Sequence, residues 1–409
     1  MVNIREYMKE REKASGQEQE KNEEKDSFRK KLWVHRGKKI FSIVGLAALA
    51  AALLFGYQYY RKNLVYTGYD VLAVAELTES INGEYKAYGD YILRYSMDGI
   101  SCMDKNGALV WGQAYEIKNP IVDVCGNYVA VASLKGNVVY IFNKSGFQGE
   151  VKTQYPISGI CVAGQGVVAV LLEDSGYNYI KLYDVYGTEL VKIKTLLEGE
   201  GYPFAVALSE DGKKMAVSCL NIVDNAIRNT VEFYNFSEVG QNYVEQMVGA
   251  YKGEFENSLV PEIRFINNNT VCAFADNQLV LFRMKEIPEL ITAIPIEEKI
   301  HAVFSNEAYI GLITENEEDG LMYQLQVYTA DGKPVAGISG KKLDQEYKNA
   351  FFAEKNLVLY NDYSCEIITM EGVERFSYTF DKNVVLLKHI ADTRFNLVTP
   401  SSVSEIRLK

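Results

Sequence analysis

Residues 91–111, YILRYSMDGISCMDKNGALVW, decide the fold. The segment opens on a β-branched and aromatic run, YILRYS, and breaks at Asp98-Gly99. A second strand-like run follows, then the turn Asp104-Lys105-Asn106-Gly107 and a third apolar run ending at Trp111. Short apolar runs separated by turn residues read as β-strands, and no helical period appears. A glycine at position 107 suits a tight turn with positive φ.

The unit repeats. Strands like YILRYS recur as YVAVAS from Tyr128, VVAVLL from Val167, KMAVSC from Lys214, TVCAFA from Thr270, AYIGLI from Ala308, NLVLYN from Asn356 and RFNLVT from Arg394. The eight copies lie 37, 39, 47, 56, 38, 48 and 38 residues apart. Turn glycines follow at Gly146, Gly187, Gly332 and Gly372, with Gly240 a weaker member and none in the fifth unit. A further strand precedes several units, as in NPIVDV, YPISGI, YPFAVAL and VPEIRFI, with proline near its start, where no ladder donor is needed. Four strands in ~40–45 residues make one propeller blade.

The chain ends explain each other. The last unit has three strands, about 384–390, 394–400 and 402–408. The missing fourth is expected from YDVLAVAEL, residues 69–77, which closes the ring and removes a sheet edge. The expected fold is all-β, an eight-bladed propeller over 69–409, with seven blades as the alternative. The longest insertions fall in the fourth unit, at 220–230 and 237–260, where specificity loops sit on a rigid scaffold.

Ahead of the propeller, residues 40–60, IFSIVGLAALAAALLFGYQYY, carry no charge. A hydrocarbon core of ~30 Å needs about 20 helical residues, so this segment reads as a single transmembrane helix contacting the lipid bilayer. Six basic residues between Arg29 and Lys39, with no acid among them, precede it, and only Arg61 and Lys62 follow closely. That bias places residues 1–39 in the cytoplasm and the C-terminal bulk outside the cell. A cleaved signal peptide fits less well, because the preceding region is long and the apolar run exceeds ~15 residues. Residues 1–39 are a charged tail too poor in apolar side chains to fold alone, and 61–68 are a juxtamembrane linker.

The net charge is −11. Residues 1–39 carry +4 and the span none, which leaves −15 on 61–409. An acidic outer domain argues against nucleic acid. The six cysteines are scattered with no CxxC pair, and most lie within apolar strands, which predicts free core thiols.

The units lack the GH…WD signature of WD40 repeats. DKNGALVW, 104–111, resembles the repeat of quinoprotein-type propellers, although only the first unit keeps the tryptophan. With the anchor, 91–111 and NPIVDVCGNYVAVAS (119–133), the chain resembles an uncharacterised family of membrane-anchored propellers from clostridial-type Gram-positive bacteria. That resemblance implies the architecture and no activity.

Sites for chemistry are few. His301 and His389 stand in EKIHAVF and LLKHIAD. A shared metal is the sharper reading and ordinary half-buried strand histidines the plainer, preferred one. The acidic run ENEEDG, 315–320, lacks the ligand spacing of a calcium loop and reads as a solvated hairpin tip. No catalytic, cofactor-binding or metal-binding residue is singled out, and no cofactor is expected. The composite expectation is a tethered interaction module for a protein or cell-wall glycan. An enzyme with its site in the channel, or a transmembrane sensor, are the alternatives.

Overall fold

A computed structural model describes residues 8, 11, 13, 16, 25, 33, 41, 44–57, 59–60, 64–77, 83–197, 199–223, 226–316 and 322–409. The chain divides into two units, Met1–Leu64 and Val65–Lys409. In the first, the described residues at 41, 44–57 and 59–60 are helical. Residues 40, 42, 43 and 58 of the expected span lie outside the described residues, as does most of the 1–39 tail. Among the described residues, no helix is long and apolar enough to cross a membrane.

The second unit is eight antiparallel sheets of four strands each, an eight-bladed propeller. The seven-bladed alternative is set aside. Blade 1 runs Glu84–Tyr88, Tyr91–Tyr95, Gly99–Met103, Leu109–Ala114 from the inside outward, and the next six blades follow the same order. The eight recurrent runs are all second strands of their blades. They read as continuous apolar segments because both faces are covered by neighbouring blades. Val168–Leu172 of blade 3 is buried at every position. The five strong turn glycines, Gly107, Gly146, Gly187, Gly332 and Gly372, have φ between 79 and 102°. Gly240 does not; it opens a short 3-10 turn instead.

Ring closure is as expected. Blade 8 takes Leu386–Ala391, Arg394–Thr399 and Ser402–Leu408 from the C-terminus and Tyr69–Glu76 from the start of the unit as its outer strand. The register runs from Tyr69 opposite Leu408 to Glu76 opposite Ser402, with a bulge between Val71 and Ala73.

The buried apolar side chains gather in clusters that each straddle a seam between consecutive blades. The blade 4–5 seam is the richest, with Phe233, Phe255 and Phe282 among fourteen buried residues. The seam between blades 8 and 1 is the thinnest, with five: Ile92, Met103, Leu386, Val398 and Val403. All six cysteines are free, and Cys102, Cys219, Cys272 and Cys365 are buried as small core groups.

Candidate binding surfaces: the central channel and the fourth-blade hairpin

The inner strands of the eight blades surround a channel. One edge of each inner strand is left unpaired towards the channel. Two cavities open along them. One, about 600 Å³, is lined by blades 2 to 5, including Asp123, Cys125, Cys161, Phe204, Glu262 and Arg264. The other, about 520 Å³, lies along blades 7, 8 and 1 and includes Tyr85, Phe351, Tyr360, Lys388 and His389. Lys86 borders both.

The acids of the larger cavity are already engaged. Asp123 accepts the Val162 N–H at 2.7 Å. Glu262 pairs with Arg264, whose guanidinium also reaches the Ser305 hydroxyl at 3.4 Å and the Val303 carbonyl at 3.5 Å. Arg264 lies over the Phe274 ring at 5.4 Å, which holds its orientation. The channel thiols are kept protonated. Burial pushes Cys125 up to about 11, with Asp123 adding to the shift. Cys161 is raised well above the usual thiol value by burial and then by Asp123. A thiol needs its thiolate to act as a nucleophile or metal ligand, so neither is poised for that chemistry.

The two histidines are not brought together. His301 sits on the inner strand of blade 6, with Nε2 2.9 Å from the Glu315 carboxylate and its ring edge-on to Tyr323. His389, on the inner strand of blade 8, reaches the Asp392 carbonyl at 3.2 Å and packs on Phe395. The inner strand of blade 7 lies between them in the ring order. The plainer reading, half-buried strand histidines, describes both. Among the described residues, no group of three or more His, Cys, Asp or Glu side chains is arranged to hold a metal. His35 and residues 317–320 of the acidic run lie outside the described residues.

The fourth-unit insertions build a second surface. The second and third strands of blade 4, Lys214–Val223 and Ala226–Asn235, are ten residues each and extend past the ring as a hairpin. The root of this hairpin is pinned by buried polar groups. Asn229 accepts the Val260 N–H at 3.2 Å and donates to the Ser218 hydroxyl at 2.8 Å, which in turn donates to the Val260 carbonyl at 2.9 Å. The 237–260 insertion therefore braces the 220–230 one, and a bridge between Arg228 and Glu256 continues the contact. Beyond the root, Ile222 and Ile227 stand directly opposite each other at 72% and 45% exposure.

The hairpin lies on the face opposite to chain entry. The outer strand of blade 8 begins at Tyr69 beside Leu408 and ends at Glu76 beside Ser402, next to the turn joining second and third strands. The blade 4 hairpin is the same kind of turn, so it shares the face reached by Glu76, not the one where Tyr69 enters.

A family model described as "Family of unknown function (DUF5711)" matches residues 61–408. The chain belongs to that family. Its membership agrees with the resemblance read from 91–111 and 119–133, while the bacterial source and the anchoring of that expectation stand outside the match. No curated protein matches this DUF5711 chain in sequence. Among solved structures, it is similar to Sqt1 of Chaetomium thermophilum, solved bound to the N-terminus of ribosomal protein L10. That likeness has a TM-score of 0.53 at 10% identity and covers 83% of this chain and 99% of the other, which shows a shared propeller fold. A looser one, to BamB from Moraxella catarrhalis, has a TM-score of 0.49 at 11% identity, covering 83% and 100%.

The hairpin was visible in the repeat intervals as an excess of residues. The charged channel residues were missed. Each is a charged residue inside a short, largely apolar inner strand, as in EYKAY, EIRFIN and LLKHIA, and that placement was the available signal.

Proposed function

We propose that this DUF5711 chain is a tethered interaction module. Residues 40–60 anchor it in the cell membrane with the tail inside. The propeller stands outside and takes hold of a protein partner with the hairpin face of blade 4. The observation that carries this reading is the pair Ile222 and Ile227, exposed on a hairpin whose root is held by buried hydrogen bonds. Rigid presentation lowers the ordering cost of binding, and an apolar pair at a protruding tip is a surface that gains from being covered. The Sqt1 complex is an instance of a related fold meeting a protein segment.

The tether rests on its own observations. Leu46, Leu49, Leu53, Leu54 and Phe55 of the N-terminal helix are exposed. Apolar helix surface of that extent is unfavourable in water and favourable in lipid. The propeller strand that begins at Tyr69 enters the ring on the face opposite the hairpin.

A photoreactive residue placed at position 227 in living cells tests the partner reading. The expected result is a specific protein adduct that disappears when Ile222→Asp is added, while the ring stays folded because Ile222 packs against little. An adduct pattern identical to that from a probe at Lys105, on the opposite face, would sink the reading. A glycan partner would leave the protein adduct missing in the same way.

A further inference from the structure

Lys388 is the one lysine of the inner strands that is both buried and unengaged among the described residues. It is 7% exposed, on the third position of the blade 8 inner strand. No hydrogen bond or ion pair joins its ammonium to a described atom, whereas Lys86, on the neighbouring blade, donates to the Val122 carbonyl at 2.8 Å. Its nitrogen is also not among the partnerless polar atoms sealed from solvent, so it keeps access to open space. An acceptor is close at hand. Asn396 is its direct partner across the ladder, and the Asn396 side-chain oxygen is buried without a donor. The ammonium does not take it.

A lysine side chain this deeply buried, whose ammonium meets no protein acceptor, is costly unless the open space it faces solvates it or holds a ligand. Burial holds the Lys388 pKa below the ordinary lysine value, with Asp90 opposing that shift. The residue borders the 520 Å³ cavity, a size suited to a small organic molecule. The same cavity is walled by Tyr85, Phe351 and Tyr360, with the last two rings edge-on at 6.2 Å. Its lining acid, Glu354, is mostly exposed and faces His389 at 3.9 Å. The cavity thus offers an aromatic wall and, among the described residues, one lysine that makes neither a hydrogen bond nor an ion pair, although the Asp90 charge acts on it.

We propose that the cavity between blades 7, 8 and 1 binds a small organic anion, its carboxylate or phosphate group held by the Lys388 ammonium and its apolar body against Phe351 and Tyr360. This site lies in the channel and stands independently of the hairpin and its partner. The location has a structural counterpart. The seam between blades 8 and 1 has the fewest buried apolar groups of the ring, so a bound anion there would complete the packing of the closing seam.

Calorimetric titration with benzoate, phenyl phosphate and the neutral benzamide tests it on the full-length protein in detergent. Benzoate or phenyl phosphate is expected to bind and benzamide not to, and which of the two anions binds tighter distinguishes carboxylate from phosphate. Lys388→Met is expected to weaken the anion at least about tenfold, the loss of one charge-assisted contact. The same variant is expected to raise the thermal midpoint by about 1 °C or more, because burial of the side chain disfavours the charge that is removed. A structural lysine would do the reverse and lower it. No binding by either anion, equal binding by benzamide, unchanged affinity in Lys388→Met, or a lowered midpoint each overturns the proposal.

Discussion

Single residues act in this ring chiefly through the backbone they permit. Gly372 has φ +84°, and a Cβ there would stand 2.1 Å from the Gly337 carbonyl oxygen of the preceding blade. Gly89, in the turn after the first inner strand, has φ +51° with nothing within 4 Å of such a Cβ. Gly89→Ala therefore pays only the left-handed backbone cost, about 1–2 kcal/mol. Gly372→Ala adds a backbone clash between blades and should lose roughly 3 kcal/mol or more. Urea denaturation of the two variants checks this, and equal losses would show that the blade contact at Gly372 has no weight. Turn glycines of this kind were legible in the sequence because positive φ leaves few alternatives. Lys388 and Arg264 were not, since a charge within an apolar strand carries no mark of whether it meets a partner, a cavity or water.

At the scale of elements, the outer strand of blade 8 decides whether the ring is closed. Val74 and Ser404 face each other across that strand pair. Directly opposite residues of an antiparallel pair have Cα atoms about 4.5–5.5 Å apart, within the range a disulfide spans. Val74→Cys with Ser404→Cys should therefore oxidise readily and stabilise the unit by up to about 5 kcal/mol, as expected for a long closed loop. Val74→Cys with Val403→Cys, one residue out of register, should not form the bond, because the two side chains then point to opposite faces. Non-reducing gels and denaturant midpoints read both outcomes; equal cross-linking of the two pairs would contradict the register. The four-strand period was readable because each second strand is covered on both sides and so stays mostly apolar, even where it admits a polar residue such as Ser218 or Asn396. The hairpin was readable only as surplus length. Its bracing by Ser218, Asn229 and Val260 joins segments some 30 residues or more apart, as Asn229 to Val260 are, and no local pattern announces such a contact.

For the molecule as a whole, the proposed tether makes a prediction that the ring does not depend on. Expressed in cells, the chain should stay in the membrane pellet through an alkaline carbonate wash, and protease added outside intact cells should remove the propeller. Release by carbonate, or full protection from protease, would show that residues 40–60 do not hold the protein in that orientation. The structure decided eight blades over seven, while the amino-acid sequence by itself determined the four-strand repeat, the strand order within each blade and the pairing of the first strand with the last. These follow from hydrophobic period, turn chemistry and the need to leave no sheet edge, all of which are written locally along the chain. Only the tertiary structure decided which side chains share the channel, which acids are already paired and which lysine is left with a cavity and no partner. Those properties depend on distances between blades, and residues far apart in sequence acquire them only when the ring closes.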